Sequence, residues 1–203
     1  MPLGKQAKAL SEAQVRTSLS HLAGTRNPER DTAIFMLSIK AGLRAKEIAS
    51  LRWSMITDPE GHVADAIELQ DVASKGNGGR TIPLHKDLRA ALVRLKDHAE
   101  ARRAEIGHTL DLSANVITSE RGEHLGPNSV AHWFRRLYRA LGFDGCSSHS
   151  GRRTFITRAA RKVSEAGGSL RDVQQLAGHA SLQTTQRYVE GGTDAKRRLV
   201  AMI

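Results

Sequence analysis

The stretch GPNSVAHWFRRLYRALG, residues 126–142, constrains the fold of this chain more than any other. Its apolar residues recur every three or four positions, which is the spacing of one side of an α-helix. They are Val130, Trp133, Phe134, Leu137 and Leu141. Arginines occupy the opposite side, at Arg135, Arg136 and Arg139. A helix with such an apolar stripe has to pack on other elements, so the stretch predicts a surface helix on a larger core.

Helical periodicity predominates in the rest of the chain as well. Ser11 is a candidate N-cap and Pro28 a candidate first residue of a helix. The predicted helices cover residues 11–23, 28–42, 44–53 and 85–107, and three short ones follow between residues 149 and 188. Three segments flanked by turn residues, SMITDPEG, AIELQDV and RTIPL, favour strands. We therefore expect an α+β fold that is mainly α-helical, with a small antiparallel three-stranded sheet and a hairpin tip at SKGNGG.

The chain is basic along its whole length. Its 31 Lys and Arg exceed its 21 Asp and Glu, which gives a formal net charge of +10. The excess extends from Lys5 to Arg198 and is not confined to a tail. A basic folded surface favours a polyanionic partner, and nucleic acid is the first candidate. A ribosome-associated protein, or a soluble protein that is merely basic, is the alternative that charge alone leaves open.

The features of secreted and membrane proteins are missing. Cys146 is the one cysteine, so no disulfide can form within the chain, which fits a reducing compartment. No apolar run approaches the roughly 20 residues of a membrane helix. The first ten residues, MPLGKQAKAL, contain no apolar leader segment. We expect a cytoplasmic protein without a membrane partner.

The motifs of metal and nucleotide sites are missing too. The sequence has no HExxH, no paired cysteine motif and no acidic cluster. Cys146 and His149 have a ligand-like spacing, but no second pair accompanies them. The glycines of SKGNGG lack the order of a nucleotide-binding loop. We expect neither a metal nor another cofactor.

Several cationic groups and one phenol lie in short, distinctive motifs. In chain order they are Arg44 and Glu47 in GLRAKE, Lys75 in SKGNGGRTIPL, His149 and Arg152 in HSGRRT, and His179 and Tyr188 in LAGHASLQTTQRYVE. In this order, with a lysine at a hairpin tip between the first two boxes, the motifs resemble those of the tyrosine recombinase family, also called phage integrases. The resemblance covers about residues 10–192 and implies the catalytic fold of that family.

The resemblance implies strand cleavage by a tyrosine phenolate, which becomes joined to the 3′-phosphate of DNA. Tyr188 is the implied nucleophile, and Arg44 and Arg152 are the implied clamp on the phosphate. A guanidinium suits that role because its planar fork holds two phosphate oxygens and stays charged at any working pH. His179 would donate a hydrogen bond to the same phosphate.

Proton transfer falls to other residues of the motifs. Because a phenol has a pKa of about 10, the nucleophile needs a base or a positive field. By resemblance His149 is the proton acceptor, and Lys75 on its hairpin is the general acid for the leaving 5′-oxygen. Glu47 would orient an arginine or a histidine from behind. No ATP and no metal would be needed, because the phosphotyrosine keeps the energy of the broken bond.

Each residue also has a simpler interpretation. Arg44 could pair with Glu47 at a helix end, Lys75 could be a solvated turn lysine, and Tyr188 could belong to the core, as we expect of Tyr138. His149 could sit at a helix N-terminus for structural reasons, and His179 could cap a helix after Gly178. Arg152 and Arg153 could simply position a phosphate. For any one residue, the simpler interpretation is as good as the catalytic one or better. The complete set of motifs in the right order favours the catalytic interpretation.

The expected partner is double-stranded DNA. Arg153 and the face formed by Arg135, Arg136 and Arg139 are the candidate contacts, and a solvated helix face is the alternative for the latter. By resemblance we expect a homo-oligomer on DNA, a tetramer around two DNA segments. The tail AKRRLVAMI would pack on a neighbouring protomer or fold back on its own core.

The predicted division of the chain has three parts. Residues 1–25 form an N-terminal arm or first helix, residues 10–192 the catalytic domain, and residues 193–203 a tail that could be exchanged between protomers. Most members of the family carry a further N-terminal helical domain for which this sequence has no room. A natural minimal recombinase and a catalytic-domain fragment of a longer one are both open.

Three functions compete at this point. The first is a recombinase that performs integration, excision, inversion or resolution. The second is a DNA-binding regulator on the same fold that has lost its chemistry, which the complete set of reactive residues disfavours. The third is an enzyme like type IB topoisomerases, which relaxes supercoils without exchanging partners. The short chain and its terminal tyrosine box favour the recombinase.

Overall fold

Helices and one small sheet make up the computed structural model of the chain, which describes residues 7–70, 79–120 and 124–188. The helices are α1 (Glu12–Ala23), α2 (Pro28–Lys40), α3 (Ala45–Ser50), α4 (Lys86–Ala104), α5 (Pro127–Ala140), α6 (Ser150–Lys162), α7 (Leu170–Ala177) and α8 (Leu182–Gln186). Strands β1 (Ala66–Leu69) and β2 (Arg80–Pro83) pair antiparallel, with Ile67 opposite Ile82. The prediction of a mainly helical fold with a small antiparallel sheet is confirmed.

Local signals in the sequence start and end the helices. Ser11 caps α1 by accepting a hydrogen bond from the amide of Gln14, whose side chain accepts from the amide of Ser11 in return. Pro28 opens α2, where its fixed φ and missing N–H cost nothing. After α2 the chain turns at Gly42, whose φ of +66° lies in the left-handed region that glycine adopts freely.

The apolar stripe of α5 lies inside the main core, as its periodicity predicts. Val130, Trp133, Phe134 and Leu137 are buried, and Leu141 is partly buried. The helix packs chiefly on α3, while α2 packs on α4 and on α6. Tyr138 is buried in this core, stacked on Phe134, which confirms its expected structural role.

A second, smaller cluster joins the last helices of the described chain. Ile156 and Ala160 of α6 are buried against Val173 and Ala177 of α7, and Tyr188 packs on the edge of the cluster. Because α6 also packs on α2, the cluster brings the end of α7 close to the turn that follows α2.

The prediction of a strand at SMITDPEG is wrong. Trp53–Met55 forms a 3₁₀ helix that buries Trp53 and Met55, and the segment after it forms a tight loop. In that loop the Asp58 amide donates to the His62 carbonyl, and the Asp58 carboxylate accepts from the His62 amide. The loop leaves only an isolated bridge between Thr57 and Val63, so the sheet has two strands among the described residues and not three.

The first helix is packed on the body of the domain. Leu10, Val15 and Leu22 are buried in the main core, and the Leu10 amide donates to the Thr154 hydroxyl of α6 at 2.8 Å. The tail at residues 193–203 and the hairpin tip with Lys75 lie outside the described residues. None of the described helices is both long and apolar enough to span a bilayer.

Candidate active site

The C-terminal end of α7 gathers three arginines from three other elements. Carbonyl groups at the end of a helix lack partners within the helix and carry partial negative charge. The carbonyl of Leu176 accepts from Arg80 Nε at 3.0 Å, and that of Ala177 accepts from Arg152 Nη2 at 2.5 Å. The carbonyl of Gly178 lies 3.4 Å from Arg44 Nη2. Three consecutive carbonyls thus hold β2, α6 and the start of α3 around one point.

Arg152 is the most deeply buried of the cations that line the site. Besides the carbonyl of Ala177, its Nη1 donates to the carbonyl of Gly42 at 2.7 Å, just past the end of α2. Burial lowers the pKa of Arg152 to about 10, and the charges of Arg44 and Arg80 act in the same direction. The side chain remains cationic at neutral pH, and backbone carbonyls fix both Nη atoms of its guanidinium.

Arg44 is placed by the start of α3, for which it is the N-cap residue. The amide of Arg44 donates to Glu47 Oε2 at 2.7 Å, and Nη1 donates to Glu47 Oε1 at 2.9 Å. Burial by itself would raise the pKa of Glu47, but hydrogen bonds and charge from Arg80, with those from Arg44, hold it below its ordinary value. Glu47 is therefore an ionised carboxylate beneath Arg44, whose own side chain stays one-third exposed.

His179 follows the left-handed residue Gly178 that ends α7. Its Nδ1 lies 2.9 Å from the hydroxyl of Thr185, a buried residue of α8. Burial and the positive charges of Arg152, Arg44 and Arg80 lower the pKa of His179 to about 4. The ring is therefore neutral at pH 7 and has one N–H, so the role of Nδ1 towards Thr185 decides whether Nε2 donates.

Tyr188 lies just after α8, and its ring contacts two neighbours. The ring stacks on His179 with centroids 5.6 Å apart and an angle of 22° between the planes. The guanidinium carbon of Arg153 lies 5.6 Å from the centroid of the same ring, within the range of a cation–π contact. Tyr188 is partly buried, yet it faces the same cavity as the arginines.

These residues surround an open cavity of about 550 Å³. His149, exposed at the N-terminus of α6, lines it together with Arg44, Arg152, Arg153, His179, Arg187 and Tyr188. Within the described chain no carboxylate lines the cavity. Nor do three His, Cys, Asp or Glu side chains group closely enough there or elsewhere in those residues to hold a metal. A cavity lined by cations, without acids beside them, suits an anion such as a phosphodiester.

A family model agrees with the motifs and the geometry. The model described as the phage integrase family matches residues 8–193. The chain belongs to the phage integrase family. The predicted resemblance is thereby confirmed.

Relatives within the family include tyrosine recombinases of bacteria. The chain is 35% identical over 195 residues to tyrosine recombinase XerC of Alcanivorax borkumensis, which covers 91% of this chain and 57% of that protein. It is 31% identical over 191 residues to XerD of Pseudomonas putida, over 92% of this chain and 58% of that protein. The chain thus spans little more than half the length of these relatives.

Solved structures of recombinases share the fold. XerA recombinase superposes with a TM-score of 0.71 at 25% identity, over 100% of this chain and 65% of that one. XerH recombinase bound to a palindromic difH substrate superposes with a TM-score of 0.71 at 18% identity, over 98% of this chain and 54% of that one.

Most of the motif residues of this integrase-family chain come together in the structure. Arg44, His149, Arg152, His179 and Tyr188 share the cavity, and Glu47 lies beneath Arg44. Lys75 lies outside the described residues. Their catalytic roles stay predictions.

The arginine face of α5 is separate from the cavity. Arg135, Arg136 and Arg139 are exposed, and none of them lines it. Arg136 instead lines a groove with Arg30 near the start of α2, about 15 Å along that helix from its last residue, Lys40, at 1.5 Å per residue. These arginines therefore form a surface distinct from the lining of the cavity.

The residues that were not predicted from the sequence include Arg187, which lines the cavity, and Arg80 and Thr185, which support the site. Arg80 donates to Glu47 and to α7, and Thr185 contacts His179. A signal for Arg80 exists, because it lies two positions before the buried Ile82 and so on the inward face of the strand. No comparable signal marks Thr185, which only the fold of the chain between α7 and α8 brings to His179.

Proposed function

We propose that this chain is the catalytic part of a tyrosine-type, site-specific DNA recombinase. The observation that carries the proposal is the grouping of Arg44, Arg152, His179 and Tyr188 around one cavity in which no described carboxylate takes part. The match to the family model and the similarity to XerC and XerD support it. Integration, excision, inversion and resolution would all use the same strand-cleavage step.

The proposed cleavage step is a transfer of a phosphoryl group to the protein. The Tyr188 oxygen attacks the phosphorus, a 3′-phosphotyrosyl ester forms, and the bond to the 5′-oxygen breaks. Negative charge grows on the non-bridging oxygens during attack, and we assign Arg44 and Arg152 to stabilise it. Because their supporting contacts already exist in the free protein, little reorganisation is needed when the phosphate binds.

Two proton transfers accompany the step. We assign His149, which lines the cavity, as the acceptor of the phenolic proton. Lys75 is the proposed donor to the leaving 5′-oxygen, and His179 is the proposed hydrogen-bond donor to the phosphate. Reversal of the step by a 5′-hydroxyl of another strand rejoins the DNA in a new arrangement.

The proposed partner is double-stranded DNA, bound by several protomers together. Among the structural neighbours are the Tn1549 transposon integrase with a circular intermediate DNA and XerH with a difH substrate. Arg153 in the cavity and the exposed arginines of α5 are the proposed phosphate contacts. A tetramer around two DNA segments is the proposed working form.

Covalent trapping tests the proposed function directly. Wild-type protein is mixed with DNA fragments from the genomic neighbourhood of its gene, denatured with detergent, and assayed for protein joined to DNA 3′-ends. We expect adducts with wild type and none with Tyr188→Phe, while both proteins bind DNA equally. Tyr138→Phe is the matched control, because that phenol is buried in the core and its hydroxyl has no hydrogen-bond partner among the described residues.

The outcomes separate the competing functions. Adducts that survive in Tyr188→Phe would remove that tyrosine as the nucleophile. DNA binding without adducts in wild type would favour a DNA-binding regulator. If adducts form, supercoil relaxation without exchange between two sites would favour an enzyme like type IB topoisomerases.

A further inference from the structure

Arg80 supports the site from behind the cavity. Its side chain is only 8% exposed and does not line the cavity. Nη1 and Nη2 donate to the two oxygens of Glu47 at 2.9 and 3.2 Å, and Nε donates to the carbonyl of Leu176 at 3.0 Å. The guanidinium also lies against Gly178, where an added Cβ would come within 2.8 Å of Nη1. Arg80 therefore joins β2 to α3 and to the end of α7, but it cannot reach a phosphate in the cavity.

The charge of Glu47 is divided between two guanidinium groups. Each carboxylate oxygen accepts one hydrogen bond from Arg44 and one from Arg80. Two cations and one anion leave this buried cluster positive overall. Without Arg80, Glu47 and Arg44 would form a neutral pair, in which Arg44 alone would balance the charge of Glu47. The positive field that Arg44 directs at the cavity would then weaken.

We propose that Arg80 is a positioning residue for Arg44. Because Arg80 also binds Glu47, the charge of Arg44 stays available to the phosphate and the Arg44 guanidinium stays correctly oriented. The inference rests on the proposed function, because it concerns the strand-cleavage step. Arg80 also donates to the carbonyl of Leu176 and so fixes the end of α7. The chain continues from there to Gly178, whose carbonyl contacts Arg44, and to His179. Arg80 thus influences the charge that a phosphate in the cavity experiences without contacting the phosphate.

The test combines a charge removal with its compensation. The variants are Arg80→Met, Glu47→Gln and the double variant, which has the same formal charge as wild type. The readouts are the single-turnover rate of adduct formation on a DNA site found by trapping, the affinity for that DNA, and the Tm. Arg89→Met is the matched control, because Arg89 also donates to a backbone carbonyl, that of Val63, away from the cavity.

We expect Arg80→Met to slow cleavage by about 10-fold or more, as loss of preorganised charge does, with little change in DNA affinity. Adding Glu47→Gln should make the double variant faster than Arg80→Met alone, because it removes the carboxylate that neutralises Arg44. A merely structural role predicts the opposite order, since the double variant loses more hydrogen bonds around α3. Arg89→Met should cleave at the wild-type rate.

Wild-type cleavage by Arg80→Met, or a double variant slower than Arg80→Met, would overturn the proposal. If Arg80→Met proves unfolded by its Tm, Arg80→Gln replaces it, because it removes the same charge while keeping a donor for Glu47. Absence of adducts in wild type would overturn the proposed function. That outcome differs from one in which wild type forms adducts and only the role proposed for Arg80 is contradicted.

Discussion

The protonation of His179 responds strongly to the site around it. Burial and the neighbouring arginines lower its pKa from the ordinary 6.5 to about 4. Between these two values the unfolded chain binds a proton at this residue and the folded chain does not. The free energy of unfolding therefore falls as the pH drops through this window, and the contribution is constant above pH 6.5.

Replacement of His179 tests this dependence. His179→Asn keeps a group near Thr185 but cannot titrate, so its free energy of unfolding should fall less steeply than that of wild type between pH 6.5 and pH 4. Urea unfolding at several pH values measures both slopes, and the other histidines are common to the two proteins. Parallel curves would show that the arginines do not depress the pKa of His179.

At the scale of the elements, the packing of α6 on α2 decides where Arg152 lies. Gly151 faces α2 so closely that an added Cβ would lie 2.3 Å from the hydroxyl oxygen of Ser38 and 3.1 Å from Ile39 Cγ2. The ring of Phe155 lies over Gly42 on the same interface, and Arg152 donates to the carbonyl of Gly42. The close approach of the two helices and the anchoring of Arg152 are thus parts of one contact.

Gly151→Ala should destabilise the protein although alanine favours helices. We expect the free energy of unfolding to fall by about 1–3 kcal/mol, the usual cost of overpacking. Ser38→Gly in the same chain should recover part of the loss, since it removes the atoms that collide. Gly24→Ala is the control, because its Cβ would meet only an ordinary contact at 3.7 Å. Equal Tm values for Gly151→Ala and wild type would contradict the contact.

At the scale of the whole molecule, the net charge of +10 is divided between the cavity and outer surfaces. Arg136 lines a groove with Arg30, Asn128 and His132, and no residue of that groove lines the cavity. A duplex that presents one phosphate to the cavity extends well beyond it. The arginines of α5 are therefore proposed to bind the DNA backbone at a distance from the cleaved bond.

Salt titration tests whether the arginines of α5 form a second DNA-binding surface. Replacing Arg135, Arg136 and Arg139 with glutamine should weaken binding similarly for all DNA sequences. The slope of log K against log salt should become shallower by about 0.9 for each phosphate that the variant no longer neutralises. Glutamine at the exposed Arg94, Arg102 and Arg103 of α4 removes the same charge and serves as the control. An equal change of slope in both triple variants would show that only net charge matters.

Much of this architecture could be predicted from the sequence because its causes are local. Caps, prolines and periodicity act within a few residues, which is why α1, α2 and α5 follow their predicted spans closely. The exception is SMITDPEG, where the side chain of Asp58 closes a loop and removes the length that a strand needs. The residues that line the cavity could likewise be predicted where they lie in short motifs, as Arg44, Arg152 and Tyr188 do.

The way in which those residues meet depends on long-range packing. Arg44 and Gly178 are 134 positions apart, and Arg80 and Leu176 are 96 apart, yet the end of α7 holds both arginines. The depressed pKa of His179 and the sharing of Glu47 follow from that proximity and have no cause within any single motif. The amino-acid sequence specifies which charges the chain carries and which helices bear them. Packing of α6 on α2, and of α7 on α6, determined their distances, and electrostatic and hydrogen-bond energies depend on distance.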